Sequence, residues 1–300
     1  MILMNYYSPL RYPGGKSAIA PIISDVIKNN DLKCCSYIEP FAGGASIAID
    51  LLLNNTVDQI IINDADKAVY SFWRSIIEEP NWFIDRIRDI PVTVEEWRIQ
   101  HTIFQQAKKY SKELGFAMFF LNRTNRSGIL SAGPIGGYSQ TGNYKIDCRF
   151  NKDALIKKIH DISLQRHRIK VYNQDISVFL RCYLPKIHSN GNIFIYFDPP
   201  YYEKGQRLYL NHFSDVEHRQ LRDAVSRLEC KWIMTYDDKE EIDKLYAEYK
   251  RYSFSINYSL SNKSKGKELM IFKDSSCIPS LETIKNLPGL VIFEEPKVEG

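Results

Sequence analysis

Five short apolar runs, each followed by a turn and a helical pattern, constrain the fold of this chain more than any other feature. The runs are Ser36–Phe41, Ile60–Asn63, Ile169–Tyr172, Ile193–Phe197 and Lys231–Thr235. Strands that alternate with helices are typical of a mostly parallel sheet with helices on its faces. Such sheets bind ligands at the carboxyl ends of their strands. We therefore predict an α/β fold whose functional residues follow these runs.

The stretch from 67 to 164 breaks this alternation. Trp97–Lys109 and Leu114–Leu121 have helical patterns, whereas Asn125–Gly142 is rich in Gly, Ser and Asn and has no helical period. Polar, glycine-rich segments of this length are uncommon in compact domains unless they have a function. We predict an inserted lobe between two strands of the sheet, ending in a loop-rich or hairpin-bearing segment.

The C-terminal part of the chain has a different pattern. Tyr252–Tyr258 and Glu268–Phe272 are strand-like and flank a polar stretch, which predicts a β-hairpin. Residues 275–300 have only a weak internal pattern. We predict that they form an appendage to the domain.

Charge is concentrated in one place. The 300-residue chain has a net charge of +4, and 25% of its residues are charged, as in an ordinary globular protein. Residues 145–170 alone hold eight Lys and Arg against three Asp. This basic run is compatible with a solvated helix face and with a nucleic-acid contact.

Several classes of protein are excluded by what the sequence lacks. No two of the six cysteines have C-x-x-C spacing, so no zinc or redox pair is predicted. The N-terminus has no apolar core of a signal peptide, and no apolar run approaches the ~18 residues of a membrane span. We expect a cytoplasmic protein with free thiols, no metal site and no membrane partner.

A glycine pair follows the first predicted strand. Glu39-Pro-Phe-Ala-Gly-Gly44 stands directly before a predicted helix, Ala45–Leu53. Glycines at a strand-to-helix turn let the backbone approach a ligand, and the helix N-terminus offers unpaired N–H groups. The motif is not the G-x-G-x-x-G fingerprint, and a plain tight turn would look the same.

Asp64 ends the second predicted strand. In nucleotide-binding α/β folds an acidic residue roughly 20 residues beyond the glycine turn accepts hydrogen bonds from the ribose hydroxyls. The alternative is that Asp64 caps the predicted helix Lys67–Ile77, and the two roles are compatible.

Another glycine pair lies near the N-terminus, in Tyr12-Pro-Gly-Gly-Lys16. Two glycines and a lysine could hold an anionic or carboxylate group. The segment is not a P-loop, because the required spacing and the preceding strand are both absent. A loop that binds nothing is an equally compatible interpretation.

The sharpest signal is Asp198-Pro199-Pro200-Tyr201, which follows the fourth predicted strand. An amino group on an aromatic ring is a poor nucleophile, because its lone pair is delocalised. Asp198 and a backbone carbonyl in the rigid Pro-Pro turn could each accept one amino hydrogen and direct the lone pair at a methyl donor. Tyr201 offers a face on which a flipped base can stack. The alternative is a proline-terminated strand with a surface tyrosine.

Together these motifs resemble the Dam-like, alpha-group adenine-specific DNA methyltransferases. The resemblance covers Pro9 to about Phe272, with the motifs in the order of the family. It implies a Rossmann-like sheet that uses S-adenosylmethionine, with an inserted, mainly helical target-recognition lobe. The implied catalytic domain comprises residues 1–66 and 165–274, the recognition domain residues 67–164, and the appendage residues 275–300.

The resemblance also assigns roles to single residues. Asp175 would contact the adenine of the cofactor, although a helix cap before Ile176–Leu184 is equally compatible. The residues implied to bind or shape the cofactor pocket are Tyr12, Lys16, Glu39, Phe41, Gly43, Asp64 and Asp175; those implied to carry the chemistry are Asp198, Pro199, Pro200 and Tyr201; those expected to contact DNA are Asn122, Arg123 and Arg126.

The implied reaction transfers a methyl group from S-adenosylmethionine to the exocyclic amino group of adenine in double-stranded DNA. Alternatives are an amino-methyltransferase acting on cytosine or RNA, or an inactive DNA-binding protein on the same fold. The two arginines of the lobe could also simply pair with acidic neighbours. The segment Arg126–Gly137 differs from members that recognise GATC, so the resemblance gives no target sequence.

Overall fold

The computed structural model describes most of the chain, and its strands form one sheet. The described residues are 7–11, 16–32, 34–188, 192–202, 213–256, 266–286 and 292–294. The strands are β1 (Ser36–Glu39), β2 (Gln59–Asn63), β3 (Ile169–Tyr172), β4 (Ile193–Phe197), β5 (Lys231–Asp237), β6 (Lys250–Ile256), β7 (Gly266–Phe272) and β8 (Ile292–Glu294). Within these residues they lie side by side in the order β3-β2-β1-β4-β5-β7-β6-β8.

The strand order places a crevice between β1 and β4. The strands β1 to β5 are parallel to one another, whereas the pairs that involve β6, β7 and β8 are antiparallel. From β1 the chain moves outward through β2 and β3, then returns to place β4 on the other side of β1. This is the topological switch point at which doubly wound sheets bind ligands. The predicted Rossmann-like fold is confirmed.

The predicted strands are confirmed with small differences at their ends. β1 stops at Glu39 rather than Phe41, because Pro40 has no N–H with which to extend the ladder. β5 continues two residues beyond the predicted end, to Asp237, because it pairs there with Glu268 of β7. The central strands are buried on both faces, which is why their sequences read as continuous apolar runs.

Helices cover both faces of the sheet. They are α1 (Ala20–Asn29), α2 (Ser46–Leu53), α3 (Lys67–Glu78), α4 (Pro80–Asp89), α5 (Val94–Gln106), α6 (Lys112–Thr124), α7 (Lys152–Leu164), α8 (Ile176–Val178), α9 (Leu184–His188), α10 (Asp215–Ser226), α11 (Glu240–Leu245) and α12 (Leu281–Lys285). Alternate strand residues supply two cores, so Tyr37 packs with α1 and α2 while Ile38 packs with α10 and α11.

Five helices, α3 to α7, stand between β2 and β3, where the sequence predicts an insertion. The helices α5 and α6 begin earlier than predicted, because Thr93 and Ser111 cap their first turns by accepting hydrogen bonds from backbone N–H groups. Their aromatic residues join the core beneath the sheet, with Phe72 stacked on Phe119 at 5.8 Å. The insertion is therefore built onto one face of the sheet.

The loop-rich segment after α6 folds back on itself. Asn125 and Pro134 form an isolated antiparallel bridge. Gly128 has a φ of +75°, and a Cβ there would lie 2.5 Å from the carbonyl oxygen of Arg11. Glycine is required at this position because the chain turns tightly against the N-terminal segment.

The C-terminal segment contributes to the sheet. β6 and β7 form the predicted hairpin. Beyond it, β8 pairs antiparallel with β6, with Phe254 opposite Phe293. Within residues 275–300 this strand satisfies the backbone groups at the edge of β6, while the division of the chain into domains stays a prediction. No helix in the described part of the chain is long and apolar enough to cross a membrane.

Candidate active site

Asp198 lies at the carboxyl end of β4, beside the crevice. Pairing of β4 with β5 places Phe197 opposite Met234, so Asp198 lies alongside Thr235. Thr235 Oγ1 donates a 2.9 Å hydrogen bond to Asp198 Oδ1, and Lys16 Nζ lies 3.8 Å from the same oxygen. Among the described residues, both contacts fall on Oδ1. The carboxyl group is 26% exposed, so Oδ2 can meet a substrate.

The surroundings of Asp198 shift its protonation. Burial raises the pKa of Asp198 to about 6, against the attraction of Lys16 and with the repulsion of Glu268. The pKa remains below neutral, so Asp198 is mostly a carboxylate at pH 7. A carboxylate with a pKa near the working pH can accept a hydrogen bond from an amino group and can also take its proton.

The Pro-Pro turn after Asp198 is fixed at its far end. The backbone N–H of Tyr202 donates to Asp237 Oδ1 at 2.9 Å, and Pro199 is buried. The hydroxyl of Tyr201 donates to Glu268 Oε1 at 2.6 Å. This leaves the ring of Tyr201 half-buried in a fixed position next to Asp198, as stacking of a flipped base requires.

Lys16 belongs to the same cluster. Its ammonium group donates to Glu268 and Tyr201, and its side chain is 4% exposed. Glu268 lies on β7 and is also buried. One ammonium group therefore faces two carboxylates, those of Glu268 and Asp198. Tyr12, which the resemblance assigns to the cofactor pocket together with Lys16, lies outside the described residues.

A second cluster forms at the ends of β1 and β2, around the glycine turn. Gly43 has a φ of +44°, its N–H donates to Asp64 Oδ2, and its carbonyl accepts from Trp73 Nε1, both at 2.9 Å. Ala45, with a φ of +44°, precedes α2 and provides no side-chain cap. The turn, which is buried from Ala42 to Ala45, is thus held in place at its N–H by Asp64 and at its carbonyl by Trp73.

Asp64 is not the cap of α3, so that interpretation of the sequence is wrong. The cap is Asp66, whose carboxylate accepts from the N–H of Ala68 at 2.7 Å. Asp64 instead accepts from the N–H groups of Asp66 and Gly43, at 2.8 and 2.9 Å. Burial and the neighbouring Asp66 raise the pKa of Asp64 to about 7. Asp64 is therefore a half-buried acceptor that links both strand ends.

Glu39 and Phe41 flank the turn in different ways. Glu39 is 4% exposed, accepts from Tyr37 Oη and from the N–H of Ala48, both at 2.9 Å, and so caps α2 from beneath. Burial raises the pKa of Glu39 to about 8. Phe41 is half-buried, and its ring meets the edge of Phe213 at 5.9 Å. Glu39 supports the loop from inside, and Phe41 lies at its surface.

Asp175 follows β3 and caps the next helix, as one of the two interpretations of the sequence predicts. Its carboxylate accepts from the N–H and from the hydroxyl of Ser177, at 2.8 and 2.5 Å. The contact to a cofactor adenine stays a prediction.

Asn122 does not have the surroundings of a DNA-binding residue, which corrects the expectation from the sequence. Its side chain is 1% exposed. It accepts from the N–H of Arg11 at 2.7 Å and donates to the carbonyls of Arg11 and Gly128 at 2.8 and 3.0 Å. The side-chain amide of Asn122 therefore pairs with both the N–H and the carbonyl of Arg11, as the backbone of a neighbouring strand would.

We expect Asn122→Ala to lower the free energy of unfolding by about 2–3 kcal/mol, because buried backbone groups of Arg11 and Gly128 would lose their partners. Urea unfolding measures this. The matched control is Arg126→Ala, an exposed change in the same region that should stay within about 0.5 kcal/mol of wild type. Unchanged stability of Asn122→Ala together with weakened DNA binding would restore the original assignment.

Arg123 belongs to a group of cations, whereas Arg126 is exposed. Arg123 Nε donates to the carbonyl of Arg149 at 2.8 Å. Burial and the charges of Arg11 and Arg149 lower the pKa of Arg123 to about 10. Burial and Arg123 likewise lower the pKa of Lys158. In the described part of the chain neither Arg123 nor Arg126 pairs with a carboxylate, so the expected alternative of internal ion pairs is wrong there.

Comparison with known proteins agrees with this geometry. Residues 12–260 match the model of the D12 class N6 adenine-specific DNA methyltransferases. The chain belongs to this family. The type II methyltransferase M.MjaIII of Methanocaldococcus jannaschii is 23% identical over 64% of this chain and 68% of its own length. The type II methyltransferase M.CviBI of Paramecium bursaria Chlorella virus NC1A is 20% identical over 83% of this chain and 92% of its own.

Solved structures add little to this assignment. An rRNA methyltransferase, AviRa of Streptomyces viridochromogenes, is 12% identical with a TM-score of 0.44, covering 89% of this methyltransferase and 88% of the AviRa chain. A likeness of this size carries no argument about the substrate. The family assignment rests on the sequence match and agrees with the site described above.

The residues of this D12 class methyltransferase fit its cofactor, S-adenosylmethionine. The cofactor supplies a methyl group on a positively charged sulfonium. Two carboxylates against the one ammonium of Lys16 give the described cluster an excess of negative charge, which suits a cation. Gly43 adopts a left-handed φ of +44° that favours glycine, so no side chain covers the backbone of the turn there, and Asp64 offers acceptors for a diol.

Several residues of the site were not singled out from the sequence. Thr235 ends a predicted strand that neighbours the catalytic one, so strand order alone could have pointed to it. Glu268 is a carboxylate at the start of an apolar strand, Glu268–Phe272, which is an unusual position for a charge. Arg11 carried no signal, because its cationic neighbours are far away in the sequence.

Proposed function

We propose that this adenine methyltransferase acts on double-stranded DNA in the cytoplasm and uses Asp198 to orient the amino group of a flipped adenine. The observation that carries the proposal is the position of Asp198 at the switch point, with Oδ1 held by Thr235 and the carboxyl group partly open to solvent. Buried free thiols at Cys35 and Cys277 agree with a reducing compartment.

In the proposed mechanism the protein prepares the amino group for attack. Asp198 Oδ2 accepts one amino hydrogen, and a backbone carbonyl of the Pro-Pro turn accepts the other. The nitrogen then becomes tetrahedral, with its lone pair directed away from the ring. As the nitrogen gains positive charge, Asp198 stabilises it and is basic enough to take a proton. Tyr201 holds the base by stacking, which suits a flipped nucleotide.

The cofactor is proposed to lie across the ends of β1, β2 and β3. Asp64 would accept hydrogen bonds from the ribose, and Asp175 would meet the adenine amino group. The backbone of Gly43 and the ring of Phe41 would line the pocket, with Glu39 holding the turn from below. Lys16 would contact the cofactor beside the catalytic carboxylate of Asp198, and Tyr12 is proposed as a further contact of the cofactor.

The insertion, residues 67–164, is proposed to recognise DNA. Its support is a group of four cations around Arg123, in which Arg123 Nε donates to the carbonyl of Arg149. Burial and neighbouring positive charge lower the pKa of Arg11, Arg123 and Lys158, and no carboxylate is among the causes of these shifts. Uncompensated, partly buried positive charge costs folding free energy unless an anion binds to it. A DNA phosphate is the anion expected here. The four residues are Arg11, Arg123, Arg149 and Lys158.

The function is tested by transfer of a radiolabelled methyl group to duplex DNA, single-stranded DNA and RNA of mixed sequence. Sequencing of the modified duplex then identifies the base and its context. We expect N6-methyladenine in the duplex. Label on cytosine or on RNA would favour the other amino-methyltransferases, and binding without transfer would favour an inactive DNA-binding protein.

Arg123 and Arg126 are expected to have different roles in DNA binding. Arg123→Ala should weaken binding to every duplex about equally and reduce the slope of log affinity against log salt by about one, because one phosphate contact is lost. Arg126→Ala should relax sequence preference at a cost of about 1–3 kcal/mol for the target, because a base contact is lost.

Titration of both variants against target and scrambled duplexes at several salt concentrations measures these effects. Arg98→Ala, on the helix α5 and exposed, is the control for removal of a positive charge elsewhere in the lobe. If both variants bind both duplexes like wild type, the loop after α6 is not the reader.

A further inference from the structure

A chain of buried hydroxyl groups leads from the sheet to the catalytic carboxylate. Thr235 has no solvent exposure and lies on β5. Its Oγ1 lies 2.7 Å from Tyr196 Oη and donates to Asp198 Oδ1 at 2.9 Å. Because the single proton of Thr235 points to Asp198, Tyr196 must donate to Thr235. The direction of both hydrogen bonds is therefore defined, and the chain ends on the carboxylate.

If the carboxyl group of Asp198 rotated freely, no single oxygen would be held in position to accept the amino hydrogen. The terminal torsion of an aspartate is broad and roughly two-fold, so packing of Cβ alone does not fix which oxygen faces a substrate. Tyr196 and Thr235 are anchored in adjacent strands, β4 and β5, and their hydroxyl groups cannot turn away without losing buried partners. Because Thr235 is a rigid donor to Oδ1 of Asp198, the carboxyl group has one orientation, and Oδ2 faces the crevice.

We propose that Thr235 is a positioning residue for methyl transfer: supported by Tyr196, it holds Oδ1 of Asp198 so that Oδ2 receives the amino group of the adenine. The inference rests on the proposed role of Asp198. Thr235 does not touch the substrate and acts through the carboxylate alone. Its hydrogen bond to Asp198 also favours the ionised form of the carboxyl group.

Other groups face Asp198 and must stay unchanged in any test. Lys16 approaches it from the N-terminal segment and Glu268 from β7. Among the described residues, further titratable groups with which it interacts electrostatically are Tyr37 and Glu39 of β1, Tyr196 of β4 and Tyr236 of β5. A substitution at position 235 leaves these side chains in place, although Thr235→Val also removes the acceptor of Tyr196 Oη. Tyr196 stays a neutral phenol, because burial keeps its pKa well above the usual value, so a shift of the acid limb reports on the hydrogen bond to Asp198.

The test compares Thr235→Val, which keeps the shape and removes the hydroxyl, with Thr235→Ser, which keeps the hydroxyl. In single-turnover methyl transfer, Thr235→Val should lose about tenfold or more in rate, because a hydrogen bond to a charged group is lost. Its KM for S-adenosylmethionine should stay within about twofold of wild type, and the acid limb of its pH–rate profile should move to higher pH. Thr235→Ser should retain both the rate and the limb.

The inference is overturned if Thr235→Val keeps the wild-type rate and acid limb, or if Thr235→Ser loses as much as Thr235→Val. Thermal unfolding checks that each variant is folded, and Thr235→Ala replaces the valine if it is not. The activity of the wild type separates failure of the positioning role from failure of the proposed function. If it transfers no methyl group to adenine in duplex DNA, the proposed function fails, whereas an active wild type with an equally active Thr235→Val refutes the positioning role alone.

Discussion

Asp198→Ala is expected to reduce methyl transfer about a hundred- to thousandfold while leaving the fold and the affinity for S-adenosylmethionine nearly unchanged. The carboxylate acts mainly on charge that develops at the amino nitrogen, and the loss of one such interaction typically costs ~2.7–4 kcal/mol. Asp198 follows β4 and, among the described residues, makes no hydrogen bond to Asp64 or to the glycine turn, which are proposed to hold the cofactor. Single-turnover transfer and calorimetric titration of the cofactor measure the two quantities separately.

Asp198→Asn is the matched control, because it keeps the shape of the side chain and removes its charge and basicity. The wild-type rate should also fall as the pH drops below about 6, since burial raises the pKa of Asp198 to about 6 and the protonated form has no negative charge to stabilise the amino nitrogen and cannot take its proton. A variant with alanine at 198 that keeps more than a tenth of the wild-type rate would rule out this role.

Asp64→Ala should weaken the binding of S-adenosylmethionine by about one to two powers of ten. A charge-assisted hydrogen bond to a ribose hydroxyl contributes about 1.5–3 kcal/mol, and the same substitution releases the N–H of Gly43, which Asp64 holds at 2.9 Å. Calorimetric titration measures the affinity. The rate at saturating cofactor should change much less, because Asp64 is remote from the amino group.

Asp66 provides a control within the same turn. Asp66→Ala removes the cap of α3, which costs about 1 kcal/mol of stability, but it leaves the acceptors of Asp64 in place. Its affinity for the cofactor should stay close to wild type. Equal losses in Asp64→Ala and Asp66→Ala, or no loss in either, would mean that Asp64 only organises the backbone.

The sequence was sufficient for the parts of the structure that depend on local patterns. The central strands appear as continuous apolar runs because they are buried on both faces, whereas the edge strand β3 has an exposed Lys170. The residues at the strand ends, such as Asp64 and Asp198, are polar because they face the crevice. The helices α5 and α6 were predicted from their helical patterns, although both begin a few residues earlier than predicted, after the caps Thr93 and Ser111.

Contacts between distant parts of the chain could not be predicted in this way. Lys16 and Glu268 are 252 residues apart in the sequence and form a buried pair, and Asn122 pairs with Arg11 across 111 residues. No periodicity links such positions, and an asparagine in an N-R pair reads as a surface residue until its partners are known. β8 escaped prediction because its three residues are too short to show alternation.

The hydrogen bond from Trp73 to Gly43 joins the first helix of the insertion to the turn proposed to hold the cofactor. Trp73 is 1% exposed and cannot move independently of α3. If the insertion binds a duplex as proposed, any displacement of α3 would reach the turn through this hydrogen bond, and thermodynamic linkage would make the effect mutual. If DNA changes the affinity for S-adenosylmethionine by some factor, bound S-adenosylmethionine must change the affinity for DNA by the same factor. The hydrogen bond from Trp73 to Gly43 is the contact through which the two proposed sites would be coupled.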